Sequence, residues 1–313
     1  MEAYLDNSAT TRCSKAAADM VYKLLTEDYG NPSSLHMKGV EAENYINDAK
    51  KKIAKTLRVQ DKEILFTSGG TESNNTAIIG AAMANKRAGR HIITSSVEHA
   101  SVLSVMQFLE EQGFEITYLP VNHDGVISVE ELKNAVREDT ILVSLMHVNN
   151  EIGAGMPIEE AGAAIKEKNP AALFHVDAIQ SYGKLEIRPK RMNIDMLSVS
   201  GHKIHGPKGS GFLYIKDKTK IKPIIYGGGQ QKGMRSGTEN VPAYAGLGVA
   251  AEEIYTDFDK KIAHMYELRD HFIESVQRIE GVSVNGRTDH TNAPHVVSVS
   301  VDGVRAEVML QTL

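Results

Sequence analysis

Three short segments carry side chains that can do chemistry together. In Ser198-Val199-Ser200-Gly201-His202-Lys203-Ile204-His205-Gly206 a lysine sits between histidines and glycines directly after an apolar run. A lysine beside another cation, near an anion and partly desolvated, has a depressed pKa, and its free amine is a nucleophile toward an aldehyde. In His175-Val176-Asp177-Ala178-Ile179-Gln180 an apolar run delivers an aspartate at its C-terminal end, where open α/β sheets hold their ligands. Such an aspartate can hold a protonated pyridine nitrogen, and Gln180 can donate to a phenolic oxygen; Asp177 also suits a plain helix N-cap. In Ser68-Gly69-Gly70-Thr71-Glu72-Ser73-Asn74-Asn75 two glycines permit a tight turn into a helix whose first N–H groups can bind phosphate, or can simply be capped by Thr or Ser. No Gly-Lys-Ser/Thr follows, so this is not a Walker loop.

Each segment follows a run that reads as a strand buried on both faces. Ile64–Thr67, His91–Thr94, Glu115–Leu119, Ile141–Leu145, Leu173–Val176 and Met196–Val199 are short, β-branched or apolar, with Phe212–Ile215 after Gly211. Stretches such as Ser73 to Arg87 and Val129 to Arg137 read as helices between them. Strand and helix in alternation predict a mostly parallel sheet sandwiched by helices. From Val241 a long helical stretch runs to about Ile279 with a break, and an alternating strand follows at His295–Val301. The expected division is an N-terminal segment (1–15) packing with a small domain, a large cofactor domain (16–250), and the start of an α+β domain (251–313). That last layer reads as incomplete, because the sequence stops within a helix opening near Arg305; a truncation or split gene is the expectation.

The chain has 313 residues, 42% hydrophobic and 24% charged, enough for a large α/β core. With a net charge of −5 and interspersed basic residues it offers no field for nucleic acid. No apolar run approaches a membrane span, and the first residues lack the order of a signal peptide, so a cytoplasmic location is expected. A single cysteine, Cys13, excludes an intrachain disulfide and a cysteine-rich zinc site. Among 12 histidines, His202 and His205 stand three apart, but Gly206 and Pro207 follow at once; no metal site is expected.

Taken in order, these segments resemble the fold-type I pyridoxal-phosphate enzymes, and more narrowly the cysteine desulfurases of the NifS and IscS kind. The resemblance starts at Tyr4-Leu5-Asp6-Asn7-Ser8-Ala9-Thr10-Thr11 and passes through Gly30-Asn31-Pro32-Ser33-Ser34-Leu35-His36, Glu98-His99 and Met146 to Gly153. It ends at Gly233-Met234-Arg235-Ser236-Gly237-Thr238. It implies that Lys203 is the Schiff-base lysine, that His99 stacks on the pyridine ring, that Asp177 pairs with the ring nitrogen and that Gln180 meets the phenolic oxygen. Phosphate contacts are implied for Gly70, Thr71, Ser200 and His202, with Thr238 arriving from the second subunit of a homodimer. Asn150 is placed near the substrate carboxylate, and Asn31, His36 and Arg235 in the substrate neighbourhood or, equally, in turns and interfaces.

The implied activity converts L-cysteine to L-alanine and passes sulfur as a persulfide to an iron–sulfur scaffold or sulfur carrier. The catalytic cysteine loop of such enzymes is absent from this sequence, and Cys13 reads as an incidental residue of the N-terminal segment rather than a catalytic thiol. Two other readings remain at this point. One is a selenocysteine lyase or other lyase on the same cofactor core; the other is a non-catalytic paralogue acting as a cofactor-binding scaffold.

Overall fold

The computed structural model describes residues 3–312. Its frame is a seven-stranded sheet in the order β1 (Ile64–Thr67), β7 (Gly211–Ile215), β6 (Met196–Ser200), β5 (Leu173–Asp177), β4 (Thr140–Met146), β2 (His91–Ser95), β3 (Glu115–Leu119). All neighbours pair in parallel except β7, which runs antiparallel to both β1 and β6. The sheet is therefore mostly parallel, as the strand and helix alternation predicts. Every residue of β1, β2, β4 and β6 is buried, while edge strand β3 exposes Glu115 and Tyr118.

The period of two assigns side chains to opposite faces. Leu65, Ile92, Leu142 and Leu213 pack toward α3 (Gly70–Asn85) and α4 (Ala100–Glu111). Phe66, Ile93, Val143 and Phe212 pack toward α2 (Met37–Leu57), α6 (Ile158–Lys168) and α7 (Val241–Tyr255). Tyr244 on α7 stacks on Phe66 with ring centroids 4.4 Å apart, which ties that helix to the sheet. α1 (Lys15–Thr26) and α5 (Val129–Ala135) complete the helices around the sheet.

α8 (Phe258–Val276) follows a turn in which Asp257 takes a left-handed φ of 52°, the break expected in the long helical stretch. Beyond it, β8 (Val282–Asn285) pairs antiparallel with β9 (Ser298–Val301), and α9 (Ala306–Thr312) follows. β9 is shorter than the His295–Val301 run suggests. Its first residues are drawn into the main body instead: Val296 is buried and His295 partly so, and the N–H of nearby Ala293 donates to the Gly153 carbonyl at 2.8 Å. β8 escapes the sequence reading because four residues give too short an alternation to register. Among the described residues, no helix is long and apolar enough to cross a membrane.

Candidate active site

The C-terminal ends of the parallel strands lie along one edge, and five of the connections leaving it carry the polar residues singled out above. β1 ends at Thr67 and turns through Gly69 into α3; β2 leads to Glu98 and His99; β4 leads to Asn150; β5 ends on Asp177; β6 ends on Ser200 and enters a 3-10 turn holding His202 and Lys203. A cavity of about 470 Å³ opens there, lined by Gly70, Thr71, His99, Asn150, Asp177, Gln180, Ser200, His202 and Lys203. These are all of the sequence-selected residues except four. Thr238 is exposed outside this cavity. Arg235 pairs with Glu72 of α3 at 3.0 Å, Asn31 accepts from the Ser33 N–H at 2.9 Å within its own turn, and His36 is the residue before α2.

Local sequence explains how Lys203 is held. Gly201 permits the close turn, because a Cβ there would fall 2.4 Å from Ser210 Oγ and 3.1 Å from Leu247. The N-terminal segment then straps the turn from outside. The N–H of Thr11 donates to the His202 carbonyl at 2.8 Å, Thr11 Oγ1 donates to the same carbonyl at 2.8 Å, and Thr11 Oγ1 accepts from the His205 N–H at 2.7 Å. Lys203 Nζ donates to the carbonyls of Ser8 and, at 2.9 Å, Ala9. Burial pushes its pKa down, and Asp6 and Asp177 oppose that shift. From the interior, Lys184 Nζ donates to the Lys203 carbonyl at 2.6 Å; burial and the nearby charge of Lys203 push its pKa down to about 7.

Asp177 is only 5% exposed, and burial raises its pKa against the pull of the Ile179 N–H, Asn74, His99 and Lys203. The Ile179 N–H donates to Oδ1 at 3.0 Å and Asn74 Nδ2 to Oδ2 at 2.8 Å. Glu98, fully enclosed beneath the same strand ends, is pushed up to about 8 by burial. It accepts from Ser95 Oγ at 2.6 Å and from the Met146 N–H at 2.9 Å. Gln180 donates to the Ser8 carbonyl at 2.9 Å and meets His295 Nε2 at 3.2 Å.

Asn74, Ser101, Lys184, Glu98 and His295 are participants that the motifs did not single out. Asn74 lies inside the Gly-Gly segment and Ser101 two residues past His99, so proximity to the motifs was their only signal. His295 comes from a distant segment and left none.

An open sheet with an amine, a buried carboxylate and a glycine-opened helix start around one cavity defines the class of fold-type I pyridoxal-phosphate enzymes. The residues present fit that cofactor. Asp177 offers a buried carboxylate for a ring nitrogen, the first-turn N–H groups of α3 with Ser200 and His202 offer donors for a phosphate, and Lys203 offers the amine. Gly70 keeps the cradle open, since a Cβ there would lie 2.2 Å from Ile179 Cδ1.

The chain belongs to the class-V aminotransferase family, whose model matches residues 3–313. It is 46% identical over 310 residues to the cysteine desulfurase IscS of Methanosarcina thermophila, covering 99% of this chain and 76% of that protein. The corresponding protein of Dictyoglomus turgidum is also 46% identical, with 99% and 78% covered. Among solved structures, a NifS-like protein superposes with a TM-score of 0.96 at 38% identity, covering 99% of this chain and 85% of the other. A structure described as SspA in complex with cysteine gives 0.85 at 38% identity, with 96% and 84% covered.

Proposed function

We propose that this protein is a pyridoxal-phosphate-dependent cysteine desulfurase, converting L-cysteine to L-alanine and passing the sulfur to a thiol as a persulfide. The observation that supports this most is the pairing, around one cavity, of the Lys203 amine with the buried Asp177 carboxylate, in a chain 46% identical to cysteine desulfurases over almost its whole length. Pyridoxal phosphate, when bound, supplies an electron sink for charge developing at the substrate Cα.

The chain's own residues do the rest. Asp177 holds a proton on the ring nitrogen, Gln180 donates to the phenolic oxygen, and His99 covers the ring face. Gly70, Thr71, Ser200 and His202 bind the phosphate, joined by Thr238 of a second subunit. Lys203, its amine favoured in the free-base form by burial, would hold the cofactor's aldehyde and would take the substrate Cα proton. Asn150 orients the substrate carboxylate, with Asn31, His36 and Arg235 in the substrate neighbourhood. In the sulfur step the acceptor thiolate forms an S–S bond as the substrate C–S bond breaks; the carbon is reduced and gains a proton, and sulfur is oxidised. Cys13 does not line the cavity, so the acceptor thiol is a separate group.

A homodimer, an iron–sulfur scaffold or sulfur carrier as recipient, a cytoplasmic setting and a large domain ending near residue 250 complete the proposal. The test is reconstitution with pyridoxal phosphate, followed by L-cysteine with an added thiol. A new visible absorbance, lost in Lys203→Ala, and thiol-dependent alanine formation are expected. A wild type that stays colourless after reconstitution would overturn the reading.

A further inference from the structure

The geometry points to a one-way hydrogen-bond relay in which Asn74 and Ser101, as positioning residues, join the ionised Asp177 carboxylate to His99 and hold the imidazole with its proton on Nε2. It rests on the cofactor reading of Asp177 given above.

The direction follows from counting donors. Asn74, fully buried, spends both amide hydrogens: one reaches Asp177 Oδ2 at 2.8 Å, the other Ser101 Oγ at 2.9 Å. Turning the amide over would set Asn74 Oδ1 against the carboxylate, acceptor against acceptor. The amide oxygen is instead left buried without a partner, a cost the fold accepts to point both hydrogens at these two groups. Ser101 Oγ, already an acceptor from Asn74, has one hydrogen to give, and His99 Nδ1 lies 2.9 Å away. The backbone N–H of Ser101 reaches the same nitrogen at 3.1 Å, because His99 caps the N-terminus of α4. With two donors aimed at it, Nδ1 keeps its lone pair and the ring proton resides on Nε2. No atom among the described residues bonds Nε2, so its N–H is the donor His99 presents in the cavity.

The relay also supports the charge on Asp177. The groups facing that carboxylate are His99 at the start of α4, Lys203 on the turn after β6, and Glu98 after β2. His99 and Lys203 favour the ionised form, whereas burial opposes it, and Asp177 in turn helps keep Glu98 protonated. Asn74 is the one side-chain hydrogen bond to Asp177 among the described residues. Without it Asp177 takes up a proton more readily, and a carboxyl already protonated cannot pair with a protonated ring nitrogen. The loss therefore deepens as pH falls.

The test reads the ring proton directly. In the wild-type holoprotein carrying 15N-histidine, two-bond N–H correlation spectra, with His99→Gln to identify the signal, should show a protonated Nε2 and an acceptor Nδ1. Asn74→Ala should raise the dissociation constant for pyridoxal phosphate about 10- to 100-fold, the range for losing a hydrogen bond to a charged acceptor, and by more at pH 6 than at pH 8.5. A proton on Nδ1 in the wild type would overturn the relay, whether or not Asn74→Ala folds. An unchanged dissociation constant, or an equal loss at both pH values as a merely structural role would give, overturns it too. Failure of the wild type to take up the cofactor removes the functional reading and the relay together; uptake with Nδ1 protonated removes the relay alone.

Discussion

Replacing Lys184 with methionine should make the chain more stable near neutral pH. Lys184 is 6% exposed, has no carboxylate within ion-pair distance among the described residues, and its pKa is pushed down to about 7 by burial and the charge of Lys203. In the unfolded chain a lysine titrates near 10.4, so folding at pH 7.5 strips a proton at a cost of about 4 kcal/mol. The sign follows from proton counts. Between about 7 and 10.4 the unfolded state binds more protons, so wild-type stability climbs with pH across that window, by up to ~1.4 kcal/mol per unit.

Methionine is close in shape, carries no charge, and forfeits the 2.6 Å bond to the Lys203 carbonyl, a loss of about 1–3 kcal/mol. The net expectation is a gain of about 1–3 kcal/mol at pH 7.5 that has vanished or reversed by pH 10. Urea unfolding of wild type and Lys184→Met without added cofactor, at pH 7.5, 8.5 and 9.5, measures it. A difference that does not change with pH would refute the reasoning. The same variant leaves the Lys203 carbonyl without its anchor, so its gain in stability should come with slower cofactor attachment.

Gly70→Ala should weaken pyridoxal-phosphate affinity while leaving the fold intact, because its Cβ would meet the tip of Ile179, 2.2 Å away; trimming that tip in Gly70→Ala/Ile179→Ala should restore part of the affinity in an equilibrium titration. Glu98, held protonated up to about 8, makes folding less favourable as pH rises from about 4 toward 8, since the folded state then binds the extra proton. Glu98→Gln should therefore gain stability relative to wild type between pH 5 and 8 in thermal unfolding; a constant offset would count against it.

Much of this was legible in the sequence for a definite reason. β1 falls where its apolar run begins and ends, because a strand covered on both faces presents one unbroken apolar stretch. Lys203, Asp177, Gln180 and the Gly-Gly turn could be read because each follows such a strand directly. The sense of β7 could not be read: Phe212–Ile215 is as apolar as its neighbours, and antiparallel pairing leaves no mark on composition. Asn74 and Ser101 were invisible as a pair because 27 residues separate them and a polar residue early in a helix usually serves as a cap. Lys184 reads as one more lysine; only the packing around it shows a charge shut away from water. The shortened β9 reflects a tertiary claim on His295 and Val296 that overrides a good alternating pattern.

The strap across the lysine turn bears on the order of events at the ribosome. Thr11 is joined to His202 across 191 positions, and Lys203 to Ser8 across 195. Residues 8–14 emerge well before the lysine turn and wait for partners that follow after about 10–40 s of synthesis at ordinary rates. The cofactor pocket is thus among the later parts of the sheet edge that can close, and the loop it closes is long, which slows the step. Capture of pyridoxal phosphate by a nascent chain should consequently begin only after β6 and the Lys203 turn have cleared the exit tunnel, so colour in stalled chains of increasing length would report docking of that turn under the strap.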